Sequence, residues 1–358
     1  MAQSKTSGVL QRALLVCVAL LLCLGGPALA ADVKPGPLPD DVLAGVLERG
    51  YVRCGVNDLP GYAEVADDGM WRGFQVDLCR AIAAAVLDAP EAVEFSQLYT
   101  DDRFSALEAN EVDVILSNAS WTLSRETGRG IAFTTTMEYD GQGFMAYADL
   151  GLKRLADAAG RNLRVCVVSA TTTENNLRDY LTQHDLGLEM RSFETHDAQW
   201  RAFLDNLCDI TTGDRTSLYI SRASRSPSPA SFVVLPDIIS REPLTPVVRK
   251  GAPTWESLVR WVMHSLVIAE EKGITKANVL AQAATATDPE LRKLLGTAEQ
   301  PVFFPGVDAR FALRAIAAVG NYHEIFDRNL GKSSPFGMDR GLNALWKDGG
   351  LLYAPLFQ

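Results

Sequence analysis

Four short stretches carry residue types able to hold a small charged molecule. Ser117-Asn118-Ala119-Ser120-Trp121-Thr122-Leu123-Ser124-Arg125 sets hydroxyls and an amide ahead of an arginine that comes five residues after Ser120. A guanidinium is a planar fork that matches a carboxylate through two hydrogen bonds. The plainer use of Arg125 is an ion pair with Glu126 or Asp101. Ser169-Ala170-Thr171-Thr172-Thr173-Glu174 pairs Thr171 with an acid three residues on, a capping-box pattern. It predicts a helix start whose N–H groups at Thr172 and Thr173 can meet an anion; capping without any ligand explains the same pattern. Gly213-Asp214 brings an acid that can hold a cation such as an α-ammonium, or simply cap the helix after it. Asn57-Asp58-Leu59-Pro60-Gly61-Tyr62 offers a polar group, Asn57, and an aromatic wall. Together, an arginine and a helix mouth complement a carboxylate and an aspartate complements an ammonium. A free amino acid carries both charges on one carbon.

Other chemistries find little support. The four histidines, His184, His196, His264 and His323, are scattered without H-E-x-x-H or metal spacing. There is no G-x-S-x-G, P-loop or G-x-G-x-x-G, so no catalytic residue, cofactor or metal site is expected. His264 falls in a helical segment and reads as a core or surface histidine. A catalytic alternative needs a cleft acid of raised pKa, for which Glu64 and Glu138 are nominees by location alone.

The elements that must position these residues alternate between strand and helix. Residues 51–56, 92–98 and 112–116 read as strands, with helices at 76–87 and 104–109. A second set places strands at 164–168, 189–193 and 208–212 and helices at 172–183 and 198–206, with Asp214 opening another. This order predicts an α/β fold with parallel pairing and crossover helices. Ligands of such sheets sit outside the carboxyl ends of the strands, which is where all four stretches fall. Residues 139–147 and 238–248 are extended and carry Gly or Pro, so the chain is expected to cross twice between two lobes through a hinge. Lobe 1 would comprise 42–140 and 246–358, and lobe 2 would comprise 141–245. Residues 224–231, with Pro227 and Pro229, read as a surface loop. The tail is helical: Trp255, Leu258, Val259, Val262, Leu266 and Ala269 recur at three- and four-residue steps, and further helices begin at Asp288-Pro289 and Asp308.

Residues 1–30 read as a cleaved export signal, with Lys5 and Arg12, an apolar run over 13–24 and Ala28-Leu29-Ala30 at the cut. The run is short of the ~20 residues of a membrane span, and Leu22 before Cys23 argues against a lipid anchor. No later stretch is expected to span a membrane. Residues 31–41 read as a disordered lead-in. Hydrophobic content of 47% with 22% charged residues is globular, and the net charge of −10 disfavours nucleic acid or an anionic membrane as partner. Cys17 and Cys23 leave with the signal. Cys54, Cys79, Cys166 and Cys208 remain and allow three pairings. Export favours disulfides over free thiols, and the local pairing, Cys54–Cys79 with Cys166–Cys208, would staple each lobe once.

At the level of motifs the chain resembles the periplasmic solute-binding proteins of polar amino-acid ABC transporters, the type II two-lobed class, and within it the general L-amino-acid-binding branch. The likeness rests on Trp71-Arg72-Gly73-Phe74-Gln75-Val76-Asp77, Arg103-Phe104-Ser105-Ala106-Leu107, Trp121 to Thr127, Tyr139-Asp140-Gly141-Gln142-Gly143-Phe144, Thr171 to Glu174 and Glu242-Pro243-Leu244. In the tail it rests on Val319-Gly320-Asn321-Tyr322, Glu324-Ile325-Phe326 and Arg340 to Trp346. The resemblance implies a monomeric periplasmic protein that takes free L-amino acids, polar or of broad range, and hands them to permease subunits in the inner membrane. It implies that Arg125 grips the α-carboxylate with Ser120 and the Thr172 N–H, and that Asp214 holds the α-ammonium with Ser120 and Asn118. Ala170 stands where a glycine is usual, and Asn57 and Asn118 differ from many relatives, which leaves side-chain specificity open. Two other functions remain on this scaffold: a dehydratase-like periplasmic enzyme, and a ligand sensor for a separate receptor.

Overall fold

The strand Val52–Val56 is buried at every residue but Arg53, the pattern of a strand covered on both faces. It belongs to a computed structural model that describes residues 41–100, 102–226, 228–299 and 303–357. The expected signal and lead-in lie outside the described residues except for Asp41, which opens the helix Asp41–Arg49. Asp101 and Pro227 also lie outside them.

Val52–Val56 pairs in parallel with Val93–Gln97 on one side and Val114–Leu116 on the other. Val247–Arg249 and Ile131–Phe133 complete this first five-stranded sheet on the Val114–Leu116 side, each antiparallel to the strand before it in the sheet. The second five-stranded sheet has the order Glu189–Phe193, Arg164–Val168, Ile210–Asp214, Gln142–Tyr147 and Phe232–Val234. Its first three strands are parallel and the last two antiparallel to their neighbours. The two crossings between the sheets run side by side. Glu138–Asp140 and Glu242–Leu244 form an antiparallel ribbon with Glu242 opposite Asp140.

The helix Phe74–Leu87 starts at Gly73, whose φ of 133° and close approach to the Tyr62 carbonyl leave no room for a Cβ. Its apolar face packs against the tail helices, where Trp255, Leu258, Val259, Val262, Leu266 and Ala269 are all buried in one core, as their spacing predicts. In the second lobe, alternation sorts residues between two cores. Phe144, Val165 and Val167 face one, while Met145, Cys166 and Phe203 face the other.

Several expected boundaries shift: the helix expected from Asp308 begins at Phe311, and the strand expected at 112–116 is Val114–Leu116. The strand expected at 208–212 is Ile210–Asp214, because its register is set by antiparallel pairing with Gln142–Tyr147. Cys208, expected on a strand, therefore sits in the preceding loop. The helix expected at 198–206 is His196–Leu204, because Thr195 caps it by accepting from the Ala198 N–H at 3.1 Å.

Disulfides join Cys54 to Cys79 with Cα atoms 6.3 Å apart, and Cys166 to Cys208 with Cα atoms 5.7 Å apart. The second closes the longer segment, a separation of 42 residues against 25. Cross-links stabilise by restricting the unfolded chain, more so for longer loops. A C166A/C208A double variant is therefore expected to lose about 2–4 kcal/mol of stability. A denaturant midpoint unchanged from wild type would contradict this.

Candidate functional site

The strand Val114–Leu116 delivers Ser117 to Ser120 at its carboxyl end, and the return strand pins that loop. The Thr245 N–H donates to the Ala119 carbonyl and the Trp121 N–H to the Pro243 carbonyl, both at 3.0 Å. Thr122 then caps the short helix Leu123–Gly128, accepting from the Arg125 N–H at 3.3 Å. The cap aims the Arg125 side chain back along the loop, where Nη1 donates to the Ser120 carbonyl at 2.9 Å. Its guanidinium lies 5.3 Å from the centre of the Phe104 ring. Glu126, the plainer partner for this arginine, instead accepts from the Trp121 indole N–H at 2.8 Å. Burial lowers the Arg125 pKa, while the carboxylates of Glu242 and Asp214 act to raise it. A cation desolvated in this way favours an anionic ligand.

In the second lobe Thr171 caps the helix Thr172–Gln183, its hydroxyl accepting from the Glu174 N–H at 3.0 Å. Only half of the expected capping box forms. The Glu174 carboxylate accepts from the Ala170 N–H, one residue before the cap. Ala170 there adopts a φ of 57°, a left-handed backbone that costs an L-residue roughly 1–2 kcal/mol and that explains why glycine suits the position. The buried Gln142 fixes this helix start to the next strand, donating to the Thr173 carbonyl at 2.9 Å and to the Thr212 hydroxyl at 3.0 Å.

Asp214 ends the strand Ile210–Asp214 and precedes the helix Arg215–Ser224, but its carboxylate does not cap that helix. Asp140, from the hinge ribbon, accepts from the Thr216 N–H at 3.0 Å instead. Asp214 is thereby left to face the gap between the lobes. Burial there, and then the negative charges of Asp140, Glu242 and Glu138, push its pKa well above the usual carboxylate range.

These groups converge on one cavity of about 170 Å³, lined by Asn57, Asn118, Ser120 and Arg125 from the first lobe and by Thr171, Thr172 and Asp214 from the second. The Ser120 and Thr172 hydroxyls meet across it at 3.4 Å. Asn118, at a φ of 49°, accepts on its side-chain oxygen from Gln75 Nε2. Asn57 Oδ1 is buried without a hydrogen-bond partner among the described residues.

The structure adds wall residues that nothing local in the sequence assigns to the cavity. Arg103 is buried, donates Nη1 to the Ser117 carbonyl at 2.6 Å and lies 5.0 Å from the Phe104 ring centre. Glu194, His196 and Asp197 line the far side. Asp197 pairs with Arg225, which also donates to the Asp58 carbonyl at 3.3 Å and so ties the two lobes at the cavity rim. His264 is remote, edge-on to Trp261 within its helix. Neither acid nominated for catalysis is among the residues lining the cavity. Glu138 is buried in the hinge ribbon, accepts from the Tyr62 hydroxyl at 2.5 Å and is pushed up to about 8, by burial first and by Asp140 second. Glu64 sits in the short strand Glu64–Val65 and accepts from the Gly61 N–H at 3.4 Å. Among the described residues no cluster of ligating side chains suits a metal ion, and no helix is long and apolar enough to cross a membrane.

Residues 52–282 match the family model of bacterial extracellular solute-binding proteins, family 3. The chain is 43% identical to the glutamate/glutamine/aspartate/asparagine-binding protein BztA of Rhodobacter capsulatus, over 93% of this chain and 98% of that protein. It is 40% identical to the general L-amino acid-binding periplasmic protein AapJ of Rhizobium johnstonii, over 87% of this chain and 92% of that one. Among solved structures, a periplasmic binding protein of an ABC transporter from Brucella ovis, with glutathione bound, superposes with a TM-score of 0.84 at 39% identity, covering 88% of this chain and 99% of that one.

Proposed function

The chain belongs to the bacterial extracellular solute-binding proteins, family 3, and from that footing we propose that it is the substrate-binding component of an amino-acid ABC importer, taking free L-amino acids into the cavity between its lobes. The observation that carries this reading is the pairing of charges in one cavity, with Arg125 and Ser120 on one wall and Thr172 and Asp214 on the other. Arg125 and the N–H groups at the start of Thr172–Gln183 take the α-carboxylate, and Thr171 shapes that start. Asp214 takes the α-ammonium with Ser120, and Asn118 and Asn57 complete the polar surround. Each lobe supplies part of the grip, so the ligand favours the closed form. The lobes run over 42–140 with 246–358 and over 141–245.

We read the chain as a binder without catalysis, in line with relatives named as binding proteins. Export through a signal at 1–30 delivers it to the periplasm as a monomer that docks on permease subunits. Around the charged groups the cavity presents Asn57, Gln97, Arg103, Thr195 and His196 beside Leu98, Tyr99 and Val168, a mixed surround that supports polar side chains of broad range.

Thermal unfolding of ligand-stripped protein against the twenty L-amino acids and glutathione tests the reading. Glutathione belongs in the panel because its γ-glutamyl end carries the same α-amino and α-carboxylate groups. A binder gains about 2.7 kcal/mol at a hundred times its Kd, so polar amino acids are expected to raise Tm by several degrees. A flat response across the panel would sink the proposal, and product formation in the same samples would replace it with an enzyme.

A further inference from the structure

Glu242 does not line the cavity, yet its carboxylate touches what does. It is 2% exposed at the start of the return crossing. One oxygen accepts from the Ser240 hydroxyl at 2.7 Å and the Asn176 amide at 2.8 Å, and the other from the Thr172 hydroxyl at 3.1 Å. Thr172 in turn lies 3.4 Å from the Ser120 hydroxyl of the opposite lobe. The segment after Glu242 also holds the Ser120 loop from behind, through the Pro243 and Thr245 backbone. One short stretch of hinge thus contacts the ligand-facing loop of one lobe with its backbone and the ligand-facing helix of the other with a side chain.

The direction of these hydrogen bonds matters. A hydroxyl has one proton to donate and two lone pairs. With its proton committed to Glu242, Thr172 can only accept from Ser120. Ser120 then spends its own proton on Thr172 and turns its lone pairs toward the cavity. We infer that Glu242 is a positioning residue that, through Thr172, orients the Ser120 hydroxyl as an acceptor for the ligand ammonium. This inference rests on the amino-acid-binding reading. It assigns discrimination between an amine and a hydroxyl at the α-carbon to a residue that never touches the ligand. An ammonium can only donate, whereas an α-hydroxyl can donate or accept and is indifferent to the orientation of Ser120.

Calorimetry on ligand-stripped protein, with an L-amino acid that the wild type binds and its α-hydroxy acid analogue, tests the relay. Glu242→Gln and Thr172→Val are each expected to weaken the amino acid by about tenfold, the scale of one hydrogen bond to a charged group, and to weaken the hydroxy acid by less. The double variant is expected to be no worse than the weaker single variant, because both break one chain. Thr172→Ser, which keeps the hydroxyl, is expected to restore wild-type selectivity. Removing a negative charge near an ammonium would by itself weaken binding, so Thr172→Val, which keeps Glu242, is the deciding arm. An unchanged amine-to-hydroxyl ratio in Thr172→Val, or additive losses in the double variant, would overturn the relay while leaving the binding function intact. If Glu242→Gln does not fold, the two Thr172 variants still decide. Wild-type protein that binds no amino acid would overturn the functional reading instead.

Discussion

Replacing Arg125 by alanine is expected to weaken amino-acid binding by about 30-fold to several thousand-fold, the equivalent of ~2–5 kcal/mol for a charged contact left unpaired in a desolvated site. The guanidinium is held in place before the ligand arrives, by the Ser120 carbonyl on one side and the Phe104 ring on another. Little side-chain entropy therefore remains to be lost on binding. Without it, the ligand carboxylate faces only the N–H groups at the start of Thr172–Gln183. The fold should be indifferent, because Arg125 projects from a six-residue helix with no buried residue. The Tm of ligand-free Arg125→Ala is expected to match wild type, while calorimetry shows the loss. Arg125→Lys should recover only part of it, since an ammonium is a point charge without the planar fork. Wild-type affinity in Arg125→Ala would remove this residue from the site.

The second large effect belongs to Asp214. Asp214→Asn preserves shape and removes charge, and is expected to cost amino acids about ten- to a hundredfold, the value of a hydrogen bond to a charged group. It should cost α-hydroxy acids much less; equal losses would contradict the ammonium assignment. A pH signature accompanies it. In the ligand-free protein, burial and the neighbouring acids hold the Asp214 pKa above the usual carboxylate range, so its proton persists to higher pH. The ammonium requires the carboxylate, and binding therefore expels that proton. The sign follows: affinity rises with pH through the raised pKa and levels off above it. Titration in buffers of different ionisation enthalpy should count a proton released by wild type and none by Asp214→Asn.

Much of this site was legible in the residues because its parts are local. The Thr171 cap needs only its own neighbour three residues on, and the structure forms it. Strand ends mark the crevice in any open α/β sheet, which is how Arg125, Asp214 and Asn57 could be nominated one at a time. The amphipathic spacing of Trp255 to Ala269 marked a buried face, and all six residues named are in the core.

What stayed hidden depends on residues far apart in the chain. Nothing near Asp214 reveals that Asp140 would cap its helix and free its carboxylate for the cavity. Nothing near Thr172 reveals Glu242, and although Arg103 belongs to a recognisable motif, nothing local places it or His196 on the cavity wall. The amino-acid sequence by itself determined which groups carry charge and which element ends present them, because capping and periodicity act over a few residues. Only the tertiary structure decided which of those charges face one another, because the hinge ribbon brings together carboxylates and hydroxyls from distant segments, and their energies depend on that approach and on the water it excludes.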